Sequence, residues 1–243
     1  MFQHRADETP ETKVVLHWFL LCFNGGCINA GGFMATGRFV SHVTGFATLF
    51  GVGLTKEASE AWGLLSVPVF FLIGAFLAGL LIDRQIHRGL KPHVDWVMGL
   101  SALCLLVATG YFFQIEHFGD EMGFGANYLL LAMLCLASGL QNAAITSSSG
   151  STVRTTHMTG LTTDLGLGLA RAFTFGLSRE TASHESRANL LRGGSILSFV
   201  VGSAAGAFLF LKFGYAAFLG PAAIAAYAAW HGRLAKIVAH RPH

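Results

Sequence analysis

Six apolar stretches, each close to twenty residues long, constrain this chain more than any other feature. They are Val14–Thr36, Leu64–Ile82, Val94–Phe113, Gly125–Ile145, Gly193–Leu211 and Phe213–His231. A helix needs about 20 mostly apolar residues to cross the hydrocarbon core of a bilayer. Water is absent there, so the backbone must satisfy its own hydrogen bonds, and helices do this. The composition agrees: of 243 residues, 53% are hydrophobic and 12% charged, about half the ~25% usual in soluble domains. Disorder, a coiled coil and a nucleic-acid-binding module are disfavoured by the same figures and by a net charge of only +3. The expectation is an all-α integral membrane protein in which residues 1–243 form one membrane domain.

Residues 1–13 form a short polar segment without a compact basic region, so a cleaved signal peptide is not expected and the first apolar run is kept as a span. Cys22, Cys27, Cys104 and Cys135 all lie in apolar runs with no Cys-x-x-Cys pair. They read as small buried hydrophobes, with neither a disulfide framework nor a metal site implied. Two further stretches, Val43–Thr55 and His157–Gly176, are too short or too polar for ordinary spans, the second carrying Thr162, Thr163, Asp164 and Arg171. Their glycines and threonines suit helices packed on other helices. The architecture expected is therefore about six spanning helices plus two short or broken ones.

The sequence also repeats itself. Gly26-Cys27-Ile28-Asn29-Ala30 resembles Gly139-Leu140-Gln141-Asn142-Ala143, and Ser41-His42-Val43-Thr44-Gly45 resembles Thr156-His157-Met158-Thr159-Gly160. Phe71-Leu72-Ile73-Gly74 then resembles Phe199-Val200-Val201-Gly202, with an insertion near Ser178–Asn189. Such order points to an internal duplication, repeat one over about 14–114 and repeat two over about 125–238, dividing near Gly119–Gly123. Three crossings per half would invert the repeats; four would make them parallel. The positive-inside rule favours inversion. Six spans place 13 of the 16 Lys and Arg on the cytoplasmic side, whereas eight spans place 10 there. Both termini and the Asp83–Lys91 turn are then expected in the cytoplasm, with Glu116–Glu121 outside.

The residues able to carry chemistry cluster in the two short stretches. Ser41 and Thr156 are candidate N-caps, because their hydroxyls could accept from first-turn N–H groups. A helix beginning within the membrane offers a positive dipole end to a polar or anionic group, and paired broken helices mark midplane binding sites in transporters. Thr44, Gly45, Thr159 and Gly160 complete the shared motif. His42 and His157 occupy equivalent positions and are expected to face each other across a polar central cavity, binding solute or relaying protons. Asp164, an acid inside an apolar stretch, is the candidate coupling charge. Asn29, Gln141 and Asn142 add amides near the expected centre. The bland alternative makes the threonines and glycines packing residues and the histidines simple helix-to-helix hydrogen bonders.

No Gly-x-Ser-x-Gly elbow, phosphate-binding loop or His-Glu-x-x-His motif occurs, and the other histidines are expected mostly in loops or tails. No catalytic residue, metal or cofactor is expected. Three functions compete. The first is a secondary transporter or permease for a small polar solute, coupled to protons through Asp164 and the histidines. The second is a non-catalytic assembly or regulatory protein. The third is a membrane redox protein with His42 and His157 as metal or haem ligands. The expected partners are the lipid bilayer, a small polar solute or a proton, with a homo-oligomer left open and no nucleic acid.

Two segments carry a resemblance to a known family. Gly31–Gly51, containing Phe39-Val40-Ser41-His42-Val43-Thr44-Gly45, and Gly139–Gly166, containing Gln141-Asn142-Ala143 and Val153-Arg154-Thr155-Thr156-His157-Met158-Thr159-Gly160, resemble the YoaK family. The likeness extends over about Lys13–Lys236. It implies a multi-span bacterial inner-membrane protein, and the family, being of unknown function, supplies no catalytic residues.

Overall fold

The computed structural model describes residues 12–55, 58–118, 124–173 and 179–238. The expected boundary between halves, Gly119–Gly123, and most of the polar N-terminus lie outside the described residues. The described residues are helical, with no strand among them: α1 (Thr12–Thr36), α2 (Val43–Leu54), α3 (Ala58–Leu81), α4 (Asp83–His87), α5 (Val94–Phe118), α6 (Phe124–Ser148), α7 (Met158–Ala172), α8 (Arg179–Phe213) and α9 (Leu219–Val238). A short 3₁₀ turn, Gly214–Phe218, separates the last two.

Four described stretches are long and apolar enough to cross a membrane: Thr12–Thr36, Val67–His87, Tyr128–Ser148 and Ala182–Gly232. The last includes both α8 and α9, since Gly214 takes φ +55° and breaks the helix there. Glycine enters this left-handed region without the Cβ clash other residues suffer. The helix expected from Phe213 therefore begins only at Leu219.

α1 and α6 occupy the centre. α1 packs most closely on α8, and α3 on α6, with α5 and α9 paired beside them. Glycines set the two closest approaches. A Cβ on Gly26 would overlap the Phe199 carbonyl oxygen, and one on Gly202 the Phe23 carbonyl oxygen. In the other pair, a Cβ on Gly139 would overlap the Phe71 carbonyl oxygen, and one on Gly74 the Leu136 carbonyl oxygen. Backbones meet at both crossings, as small residues allow where hydrocarbon offers no hydrophobic driving force. The contacts Phe19 to Gly194, Phe23 to Gly202 and Cys27 to Gly206 advance together along α1 and α8, so these helices are parallel. Gly232 near the end of α9 meets Asp95 at the start of α5, so that pair is antiparallel.

α8 is 35 residues long, far beyond the expected Gly193–Leu211, because the sequence read as an insertion continues the helix. Arg192 donates to Glu185 at 2.9 Å and to Asn189 at 2.9 Å, two turns and one turn earlier on the same face. At about 1.5 Å per residue such a helix reaches roughly 50 Å, longer than the ~30 Å hydrocarbon core of a bilayer. Hydrogen bonding from Arg192 holds the Glu185 carboxyl below its ordinary pKa.

Candidate functional site

The two central helices end in the same device. After α1 the chain turns at Gly37 (φ +68°) and folds back along the helix it has just left. Asn29 Oδ1 then accepts from Val40 N at 3.1 Å, Ser41 N at 3.1 Å and Ser41 Oγ at 3.0 Å. After α6 the chain turns at Gly150 (φ +57°) and Ser151 (φ +66°). Asn142 Oδ1 accepts from Thr155 N at 3.0 Å, Thr156 N at 3.3 Å and Thr155 Oγ1 at 3.3 Å. Asn29 lies seven residues before the end of α1, about 10 Å back along it. α2 therefore begins level with the interior of α1 rather than its end, and α7 does the same beside α6.

Each returning loop is also tied to the opposite central helix. Cys135 Sγ on α6 donates to the Val40 carbonyl at 2.9 Å, and Cys22 Sγ on α1 donates to the Arg154 carbonyl at 3.8 Å. All four cysteines are free and buried, in keeping with their apolar surroundings.

The capping expectation fails. The N-caps are His42 and His157, and neither helix start has a side-chain cap bond. Ser41 lies one residue before the N-cap, its hydroxyl donating to Asn29, and Asn142 holds the Thr155–Thr156 backbone in the equivalent place. The motif glycines have a different task from freeing the backbone. A Cβ on Gly45 would stand 2.5 Å from Nδ1 of His42, and one on Gly160 2.5 Å from Nδ1 of His157. Each imidazole folds over the first turn of its own helix, and glycine three residues on makes room for it. Thr48 Oγ1 and Thr163 Oγ1 return hydrogen bonds to the carbonyls of Thr44 and Thr159, each at 3.0 Å.

α2 packs on α3 and α7 on α8, and the two short helices do not pack together. Each is anchored by little, chiefly Phe46 in α2, and Leu161 with Gly168 in α7. His42, Thr44, His157, Thr159 and Asp164 are exposed on these flanks. No group of three or more His, Cys, Asp or Glu able to hold a metal occurs among the described residues. Arg171, on the same helix as Asp164, reaches Glu185 of α8 at 3.5 Å.

The centre of the molecule holds amides instead. Asn24 Nδ2 donates to Gln141 Oε1 at 2.8 Å and to the Pro221 carbonyl at 3.3 Å, while Gln141 Nε2 donates to the Leu21 carbonyl at 2.8 Å. Both side chains are fully buried. Gln141 was a sequence candidate through its neighbour Asn142 and Asn24 was not; the repeat matches neither, their counterparts being Ile28 and Ala137. His17 and His231, both within expected spans, lie in α1 and α9 with ring centroids 4.6 Å apart. Arg154 was read only as a topogenic charge, yet its Nη1 donates to His157 Nδ1 at 2.5 Å. A groove of about 940 Å³ lies elsewhere, between α5 and α9, bordered by Asp95, Trp96 and Trp230. None of the sequence candidates lines it.

No curated protein and no solved structure matches the chain. A family model described as a protein of unknown function, DUF1275, matches residues 17–231. That stretch runs from the first long helix to the last and includes both returning loops, so the chain belongs to the DUF1275 family.

Proposed function

We propose that this protein is a secondary transporter or permease for a small polar solute, in the inner membrane of a bacterium, as its resemblance to the YoaK proteins implies. The observation that carries the reading is the twin asparagine clamp. Two returning loops, each held by three hydrogen bonds to one amide oxygen, start short helices level with the interior of long apolar ones. In an inverted duplication with six crossings, α1, α3, α5, α6, α8 and α9 span, while α2 and α7 are half-helices opening toward opposite faces. The parallel run of α1 with α8 and the antiparallel run of α5 against α9 are what such a six-crossing chain requires. The distribution of Lys and Arg then favours cytoplasmic termini.

Chemically, half-helix starts present unpaired N–H groups and the positive end of the helix dipole to a polar solute where lipid could not. Alternating access would follow from loosening one loop while the other stays clamped. His42, His157 and Asp164, exposed on α2 and α7, are placed to exchange protons with such a path. Reconstituted protein should give saturable flux of a polar solute into liposomes, with a pH dependence that Asp164→Asn abolishes while solute binding survives. Unchanged pH dependence in a folded Asp164→Asn variant would remove proton coupling through this residue. Absence of flux for every solute tested would remove the transport reading.

One observation favours assembly as a second reading. Thr162, Thr163 and Asp164 form an exposed polar run on α7. Lipid cannot hydrogen-bond such a face. A second copy of the chain covering it would appear as a dimer that persists in mild detergent.

A further inference from the structure

Arg154 stands, half-buried, in the returning loop between α6 and α7, and the backbone of that loop lies level with the middle of α1. Its own carbonyl accepts from Cys22, the eleventh residue of the 25-residue α1. A Cβ on Gly25 of α1 would come within 2.9 Å of the adjacent Thr155 carbonyl oxygen. A cation at that level is costly unless something pairs with it. Among the described residues no carboxylate lies within ion-pair distance of Arg154, whereas Arg171 and Arg192 both reach Glu185.

The one side-chain partner of Arg154 among the described residues is His157 Nδ1. A guanidinium can only donate, so Nδ1 is the acceptor in this contact. An imidazole supplies no negative charge, so the guanidinium charge is left without a counter-charge. Asp164 does not supply the missing charge from the same helix. It lies seven residues beyond His157, a rise of about 10 Å. One nitrogen of the guanidinium is committed to His157, and the rest of its planar fork of donors matches a carboxylate or another oxyanion. The corresponding place in the first half offers no such group, since Phe39 and Val40 stand there before Ser41-His42.

We infer that Arg154, positioned by His157 and by the Cys22 contact, binds the anionic group of a small carboxylate or oxyanion solute. The inference rests on the transporter reading and narrows it, making the solute an anion recognised from the second half of the chain alone.

The test is binding to purified full-length protein in detergent, which does not depend on transport. Formate, sulfate and chloride are titrated at constant ionic strength, and thermal stability is followed. A ligand that binds the folded state raises its stability with concentration. Formate or sulfate should give saturable stabilisation, with chloride weaker. Arg154→Gln should weaken the apparent affinity at least about tenfold, the scale of one lost charge-assisted contact. Arg154→Lys should keep part of the sulfate effect and less of the formate effect, because an ammonium lacks the fork.

Should Arg154→Gln fail to fold, the parent protein still decides the matter. Modification of Arg154 by phenylglyoxal, read by peptide mass spectrometry, should slow when formate or sulfate is present. Equal stabilisation of parent and Arg154→Gln, or a modification rate indifferent to all three anions, overturns the inference. Flux of a neutral solute without anion binding would overturn it and leave transport standing. Saturable anion binding without flux would uphold it and remove transport.

Discussion

At the scale of single residues, two asparagines hold this architecture where the sequence pointed to hydroxyls and imidazoles. Asn29 and Asn142 were legible as amides at matching positions, but a solute-binding task and a loop-holding task leave the same mark in one sequence. Only the three-bond pattern on each Oδ1 separates them. The misplaced caps have the same origin. Ser41 precedes a helix and carries the right group, yet the capping rule knows only local chain, and Asn29 lies twelve residues away. Asn29→Ala and Asn142→Ala each strand two loop N–H groups. A stranded buried donor costs about 1–3 kcal/mol. Each variant should therefore show clearly lowered thermal stability in detergent, with limited proteolysis reading a loosened Val40–Ser41 loop in Asn29→Ala and a loosened Thr155–Thr156 loop in Asn142→Ala. Parent-like stability in both variants would show that the clamps carry no weight.

At the scale of elements, helix existence was readable and helix extent was not. Long apolar runs announced α1, α3, α5 and α6 because the bilayer fixes a minimum length. The charged start of α8 gave no such signal, since its stability comes from Arg192, Glu185 and Asn189 stacked along one face rather than from apolar content. Gly74 and Gly202 were legible only as matched residues of the repeat, and the crossings show what both do, letting backbones meet. Gly26→Ala, Gly139→Ala and Gly202→Ala should each destabilise by about 1–3 kcal/mol or more, since the added methyl meets backbone that cannot step aside. Gly99→Ala and Gly166→Ala have nothing within 4 Å of the new Cβ and should be neutral or slightly stabilising, as alanine favours helix over glycine. Melting temperatures of the five variants in one detergent check this, and equal losses across both groups would contradict it.

At the scale of the whole molecule, the central reading is that two halves of opposite orientation each fold a loop back into the apolar layer. Pairing of distant elements was the part least open to sequence. The motif Ser/Thr-His-x-Thr-Gly looked like one site seen twice, yet α2 packs on α3 and α7 on α8 rather than on each other. Repetition in sequence shows equivalence, not proximity. The most direct measurement compares equivalent points just beyond the two short helices. Thr55 and Phe173 are both exposed and follow α2 and α7, while the native cysteines are buried. Thr55→Cys and Phe173→Cys are labelled with a membrane-impermeant maleimide on intact spheroplasts and on inside-out vesicles, with the parent protein as background. Inverted halves predict that Thr55→Cys reacts from outside only and Phe173→Cys from inside only; reaction of both from the same side would contradict the account.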